Sequence, residues 1–427
     1  MSKVIVAATP LAGHTSPMIQ IAEALVAAGH DVTFLGGERF TGRVKTAGAQ
    51  MVPLTGAADY DDRRLNEFFP DRASQPPGPP QLNADIAQVF GNPIPQQHAQ
   101  LQSLLEQDPE QILVTDLLFL GAWPCALGVG LRPRRWVSLA ISPLYAASDD
   151  TSMLGPVPVE PGSDQAAQAA ANRAATAAFE GMLEPGFSHV RDLIAELGGD
   201  VSRLGGYITT AYALPDVVAQ PTVPELEFPR SDLPDNISYV GPLPMTTVDE
   251  WTPPQWWDEL GSRPVVAVTQ GTLNNHDLSF LIEPTLTALA DDDVLVVAAL
   301  GGAPAESIAS APANARVESF IPFDRLLPHA DVLVTNGGYG GVQVCLAAGC
   351  PVIVAGTTED KPATAARVAY SGVGIDLGTD RPKPEQIRDA VQTVLSDPGY
   401  KERVQAMRQA YARYDSLALI VSMVAQD

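Results

Sequence analysis

Residues 331–361 read DVLVTNGGYGGVQVCLAAGCPVIVAGTTEDK. Residues 332–335 form a short β-branched, apolar run of the kind that fills a buried parallel strand. Asn336-Gly337-Gly338-Tyr339-Gly340-Gly341 breaks that strand and opens a helix running to about Ala348. Gly349 closes the helix, and Pro351 starts the next strand. Glycines at a strand-to-helix turn let main-chain N–H groups approach an anion closely, and the helix N-terminus adds partial positive charge there. By itself the turn fits two readings, a tight connection in an ordinary α/β unit or a phosphate cradle.

The pattern extends in both directions. Upstream, residues 265–269 predict a strand followed by the turn Gln270-Gly271-Thr272, residues 278–290 a helix, and residues 294–299 and 317–320 two strands. Downstream come a helix at 362–371, a strand at 373–377, a helix at 384–395 and terminal helices at 400–413 and 417–424. At the other end of the chain, residues 3–8 are a nearly continuous apolar run. The turn 9–14 follows, then a helix to about Ala28 with Thr15 or Ser16 as N-cap and Pro17 in its first turn. Strands at 31–35 and 50–54, with a helix at 38–47 between them, complete a βαβαβ half of a doubly wound sheet. Residues 59–80 are polar and then proline-rich, and read as a long mobile surface excursion. Residues 82–90 and 94–107 read as helices, 111–115 as a strand delivering Asp116, 117–129 as a helix and 135–140 as a strand. Residues 163–178 form an alanine-rich helix, and Pro185-Gly186 interrupts before a further helix to Leu197. Residues 216–220 are a short strand. No periodicity survives the proline-dense 222–264, which is read as the connection between two domains. The expected organisation is α/β, two doubly wound halves in tandem: 1–221, a linker at 222–263, 264–399, and C-terminal helices at 400–427 that pack back on the first domain.

Bulk properties narrow the classes of function. A chain of 427 residues with 45% apolar content has room for two full cores. The formal net charge of −24 argues against nucleic acid or an anionic membrane as the main partner. It also means that a bound phosphate must be held by local dipoles against an unfavourable field. No run of about 18 uninterrupted apolar residues exists, and no leader is evident at the N-terminus, so no membrane insertion is expected. Cys125, Cys345 and Cys350 have no metal spacing and no disulfide framework, which fits a reducing cytoplasm.

Two residues suggest chemistry. His14 lies at the carboxyl end of the first strand, and imidazole exchanges protons near neutrality, so it can act as a general base. Asp116 ends another strand of the same sheet, where a carboxylate can orient the imidazole and stabilise its charged form. A histidine at a helix start and an aspartate N-cap are the plain alternatives. There is no Gly-x-Ser-x-Gly elbow for a serine hydrolase and no Gly-x-Gly-x-x-Gly in the first turn for a dinucleotide enzyme. Asp291-Asp292-Asp293 falls in a short connection and reads as a solvated turn, and no His/Cys cluster has zinc spacing, so no metal is expected.

These residues carry a resemblance. Gly13-His14-x-x-Pro17, Gln270-Gly271-Thr272 and above all residues 320–368 are similar to the motifs of the family 1-type inverting nucleotide-sugar glycosyltransferases, the bacterial UDP-glycosyltransferase and macrolide or natural-product type. The resemblance covers nearly the whole chain. It implies the GT-B fold, two Rossmann-like domains facing across a cleft, with an acceptor-binding N-terminal domain and a donor-binding C-terminal one. His14 would deprotonate an acceptor hydroxyl, assisted by Asp116. Gly13, Thr272, Asn336, Gly338, Gly340 and Gly341 would help hold the diphosphate of a UDP- or TDP-sugar. Phe320 would stack on the base, Ile321 would read its edge, and Asp360 would accept bonds from sugar hydroxyls, with Lys361 beside it. No cofactor is implied, since the nucleotide sugar is a co-substrate. The expected acceptor is small and hydrophobic, aromatic or polyketide-like, lined by Phe68, Phe90, Phe119, Ile141, Tyr145, Met153 and Phe179. A monomer or homodimer is expected.

Four positions depart from the family pattern. Asn336 replaces a histidine, and its amide is expected to donate to a phosphate oxygen. Gly341 replaces a threonine. Val344 stands where a glutamate grips the ribose, with Gln343 beside it as a substitute about 100° away around the helix. Lys361 replaces a glutamine, where it is expected to pair with Asp360, reach the diphosphate, or favour a donor with a carboxylate or fewer hydroxyls. Two alternatives stay open: a sugar-nucleotide epimerase of the same fold, and a noncatalytic nucleotide-sugar binding protein.

Overall fold

The computed structural model describes residues 2–245, 250–271 and 277–425. The chain divides into two compact units, Met1–Pro221 with Pro229–Val240 and Asp415–Asp427, and Thr222–Phe228 with Gly241–Tyr414.

The first unit is built on seven strands: β1 (Lys3–Ala7), β2 (Asp31–Gly36), β3 (Gln50–Pro53), β4 (Ile112–Asp116), β5 (Arg135–Leu139), β6 (Val217–Gln220) and β7 (Ile237–Tyr239). All pair in parallel, in the order β3-β2-β1-β4-β5-β6-β7. The centre of the sheet is buried on both faces, which is why residues 4–7 of β1 and 112–114 of β4 read as apolar runs rather than alternating ones. β7 lies inside the proline-rich segment that shows no periodicity. An edge strand with one neighbour needs few ladder bonds and tolerates such surroundings.

Four helices of this unit matter below: α1 (Ala12–Ala27), α2 (Pro79–Ala84), α3 (Ile94–Gln107) and α4 (Gln165–Glu196). α1 begins three residues before the expected cap. Thr15 does not cap it, since its hydroxyl donates instead to the Thr9 carbonyl at 2.9 Å. The Ala12 N–H is taken by the Asp62 carboxylate at 2.6 Å. α2 runs directly into a π-helical turn, Asp85–Gly91. The predicted excursion at 59–80 folds as short helical turns, and Tyr60, Phe69 and Val89 pack into a small cluster of their own. The helix predicted at 117–129 shrinks to a 3-10 turn, Leu120–Ala122, and one α-turn, Trp123–Ala126, with Pro124 in its start. The two helices predicted around Pro185 are one, and α4 passes straight through the proline.

The second unit carries β8 (Val265–Thr269), β9 (Leu295–Ala299), β10 (Ala315–Glu318), β11 (Val332–Thr335), β12 (Val352–Val354) and β13 (Gly374–Asp376), in the parallel order β10-β9-β8-β11-β12-β13. Its helices include α5 (Tyr339–Ala348), α6 (Lys361–Ser371) and α7 (Pro398–Tyr411). Gly349 ends α5 in the left-handed conformation, φ 83°. α7 packs on α5 in this unit, whereas α8 (Ser416–Ala425) belongs to the first unit and packs on α1. Among the described residues no helix is long and apolar enough to cross a membrane.

Both sheets reverse their strand order beside their first strand, at β1/β4 and β8/β11. In open parallel sheets the carboxyl ends of strands at such a reversal are where ligands gather.

Candidate functional site

At the first reversal, His14 stands in the opening turn of α1 and Asp116 at the end of β4. His14 Nδ1 lies 2.9 Å from Asp116 Oδ1. The carboxylate is fully buried, and the imidazole side chain keeps 13% of its exposure. Asp116 is held by two main-chain donors, the Thr9 N–H at 2.7 Å to Oδ2 and the Leu118 N–H at 2.9 Å to Oδ1. The Thr9 hydroxyl also stands 3.4 Å from Oδ1, and an acceptor so surrounded by donors is matched by His14 Nδ1 donating its N–H. That favours the tautomer in which Nε2 keeps its lone pair and can take a proton. The Phe90 ring stands 5.8 Å from the imidazole, centroid to centroid, at 37°. Burial, reinforced by the Asp116 charge, pushes the Tyr60 and Tyr207 phenols well above their usual range, so both stay neutral around the pair.

Among the residues expected to line an acceptor site, the structure brings some together and removes others. Phe90 touches His14. Tyr145 and Phe179 stack with centroids 6.4 Å apart, both half-buried. Ile141 is half-buried and Met153 is buried. Phe119 is fully buried in the main core with Leu120 and Trp123, so it supports the sheet and is closed to a ligand. Phe68 is 46% exposed and lines a hollow of about 610 Å³ together with Tyr60, Phe69, Ala87, Gln88 and His189. That volume lies within the range of small-molecule sites, roughly 300–1,000 Å³. Sequence reasoning missed Tyr60, Thr9 and Asp62. Tyr60 and Asp62 fall in a stretch that reads as surface polar chain, and their roles come from partners distant in sequence.

At the second reversal, α5 begins directly above β11. Its N-cap is Gly338, which makes no side-chain cap, so the helix offers its first N–H groups outward. A Cβ added at Gly338, Gly340 or Gly341 would meet nothing within 4 Å, and none of the three has a positive φ. The fold does not require glycine at these positions, and glycine in a helix costs about 0.5–1 kcal/mol relative to alanine. Open space at a helix N-terminus, with no side chain in the way, suits a diphosphate. Gly13 at the start of α1 is equally open. Gly337 differs, with φ 85° and a virtual Cβ 2.3 Å from Val354 Cγ1. Among the described residues no three His, Cys, Asp or Glu side chains converge as a metal site.

Three of the four departures from the family pattern, Asn336, Val344 and Lys361, are tied into the structure. Asn336 Nδ2 donates to the Gln270 carbonyl at 2.6 Å, tying together the two turns at the reversal. One N–H of the amide is thus engaged with the main chain. Gln343 is buried and accepts a bond from the Tyr411 hydroxyl of α7, so it points into the core and does not stand in for the missing glutamate. Val344 packs at the edge of the same core. Lys361, at the first position of α6, is buried and pairs with Glu359, not with Asp360. Glu359 has φ 58°, and among the described residues no other non-glycine has a positive φ. Asp360 is the N-cap of α6. Phe320 is 52% exposed just after β10, and Ile321 behind it is buried. Thr272 lies outside the described residues.

The chain is similar to known proteins over its length. Residues 283–424 match the family model for the erythromycin biosynthesis protein CIII-like C-terminal domain. The chain is 37% identical over 424 residues to 4'-demethylrebeccamycin synthase of Lentzea aerocolonigenes, covering 99% of each chain. It is 34% identical over 439 residues to UDP-glucosyltransferase B1 of Starmerella bombicola, covering 99% of this chain and 98% of that one. Among solved structures, the glycotransferase of kitacinnamycin superposes with a TM-score of 0.75 at 22% identity over 99% of this chain and 98% of the other, a likeness that bears on the fold. With end-to-end relatives at this level, and two doubly wound parallel sheets of the GT-B kind, the chain belongs to the family 1-type glycosyltransferases, the natural-product and UDP-glycosyltransferase group.

Proposed function

We propose that the protein transfers a sugar, with inversion, from a nucleotide diphosphate donor to a hydroxyl of a small hydrophobic acceptor, with His14 as base. The observation that carries this reading is the buried Asp116 at 2.9 Å from His14 Nδ1, which leaves Nε2 as the proton acceptor. Nε2 takes the acceptor's proton as its oxygen attacks the anomeric carbon. The imidazolium that forms is stabilised by the ionised Asp116. The bond from the anomeric carbon to the diphosphate oxygen breaks on the opposite face, and the departing diphosphate keeps the bonding pair; the open N–H groups at the start of α5, beside Gly338, Gly340 and Gly341, suit an anion of that kind. One in-line displacement of this kind inverts the anomeric centre. Nothing in these steps requires a metal, because hydrogen-bond donors and a helix dipole take the leaving charge.

A UDP-sugar is the favoured donor, supported by the similarity to UDP-glucosyltransferase B1 of Starmerella bombicola, and a TDP-sugar is the second candidate. The half-buried Phe90, Tyr145, Phe179 and Ile141 favour an aromatic or polyketide-like acceptor. The three cysteines are free and buried, which fits work in the cytoplasm.

The test is a mass-spectrometric screen of UDP- and TDP-sugars against phenols and alcohols, run on the parent protein and on His14→Ala. Transfer by the parent is expected, with a loss of about 10²-fold or more in the variant and unchanged binding of UDP or TDP by calorimetry. Full transfer by His14→Ala would refute the base assignment. Nucleotide release without any acceptor would favour the epimerase reading.

A further inference from the structure

α4 continues through Pro185, although proline removes a ladder N–H and crowds the preceding turn. The reason lies on α2. Asn83 Nδ2 donates to the Met182 carbonyl at 2.9 Å, and Asn83 Oδ1 accepts from the Gly186 N–H at 2.7 Å. Met182 and Gly186 are i and i+4, so one carboxamide serves both main-chain groups of a single helical rung. Insertion of a side chain into the ladder is a known way for a helix to accommodate such a break. Gly186 permits the approach, since a Cβ there would stand 2.6 Å from the Asn83 carbonyl oxygen.

Further along α4, His189 Nε2 lies 2.7 Å from Asn92 Oδ1. The π-helical turn Asp85–Gly91 is therefore fixed against α4 at both ends, by Asn83 before it and Asn92 after it. π-helical turns are rare and concentrate at functional sites. This one presents Phe90 to the His14 ring. It also holds Tyr60 through the Val89 carbonyl, 3.2 Å from the phenol, and supplies Ala87 and Gln88 to the hollow.

We propose that Asn83 is a positioning residue for the acceptor: by bridging Met182 and Gly186 it sets where the π-helical turn sits, and so where Phe90 stands against His14. The inference rests on the reading of His14 as the base at the acceptor site. A small displacement of such a wall acts on orientation, to which rates are steeply sensitive.

The experiment is a double-mutant cycle on an acceptor that the parent protein is first shown to glycosylate. Asn83→Ala is expected to raise the acceptor KM about tenfold and lower kcat, with UDP binding by calorimetry unchanged. Phe90→Ala should raise the acceptor KM by a similar factor. The double variant should be no worse than Phe90→Ala, because both changes act through one ring. If Asn83→Ala does not fold, the cycle is run with Pro185→Ala added to every variant, which gives the ladder back its N–H. Multiplicative losses in the double variant, or an acceptor KM unchanged in Asn83→Ala, would overturn the positioning role while leaving the transferase reading intact. Absence of any transfer by the parent protein would sink that reading and this inference with it.

Discussion

Gly337 and Gly341 stand four residues apart and are glycine for different reasons. Gly337 has φ 85° and no room for a Cβ against Val354. Gly337→Ala is expected to lower the melting temperature clearly, through both strain and collision. Gly341 has an ordinary φ and open space. Gly341→Ala should leave the fold as stable or stabilise it by about 0.5–1 kcal/mol, while weakening UDP binding by placing a methyl in the cradle. Thermal melts and calorimetry on the two variants check both halves, and a Gly341→Ala protein that binds UDP as tightly as the parent would remove the cradle from the argument. At this scale the sequence was only partly legible. His14 and Asp116 could be paired from the sequence because one follows the turn after β1 and the other ends β4, and adjacent strands of one sheet deliver their carboxyl ends to one place. Asn336, Gln343 and Lys361 could not be assigned. Which group a polar side chain bonds depends on neighbours such as Gln270 and Tyr411, which no local pattern reveals.

Among the elements, the central strands were legible because burial on both faces forces continuous apolar runs. β7 was not, since an edge strand of Ile237–Tyr239 leaves almost no pattern. The unity of α4 was hidden for a stronger reason: its continuity through Pro185 depends on Asn83, about a hundred residues earlier. The segment Thr222–Phe228 is another such case. It reads as linker, yet Val223 and Leu226 sit in the core of the second unit. Arg367 of α6 donates to Glu227 at 2.6 Å, with both side chains almost fully buried, and the guanidinium lies 4.9 Å from the Phe228 ring centroid. Removing one partner of a buried pair strands the other charge. Arg367→Met should therefore cost about 3–5 kcal/mol, measured by denaturant unfolding, and adding Glu227→Gln should recover much of it. An Arg367→Met protein as stable as the parent would show that the pair does not anchor the segment.

For the whole molecule, stability should depend on pH in a direction that one buried histidine makes explicit. His98 on α3 is 5% exposed, and its Nδ1 lies 3.2 Å from the Gly121 carbonyl. Burial pulls its pKa below the ordinary value, partly opposed by that hydrogen bond. Above about pH 6.5, the unperturbed value for histidine, neither the folded nor the unfolded form is protonated there and the group is neutral to stability. Below it the unfolded chain takes up a proton that the folded chain resists, so stability falls as pH falls toward the depressed folded value. Urea unfolding at pH 7.5 and pH 5.5 should show this loss in the parent protein and a smaller one in His98→Gln. Equal losses in both would assign the acid sensitivity elsewhere.

The path of the chain has a consequence for heredity. The backbone passes between the two units at four junctions, 221/222, 228/229, 240/241 and 414/415. A recombination event with a single breakpoint near the middle of the gene would join Glu225 and Glu227 from one parent to Arg413 and Arg367 from the other. The second unit is expected to transfer intact between relatives only when the short segment 222–228 and the boundary at 414/415 travel with it, so functional recombinants should preserve all four junctions as a set.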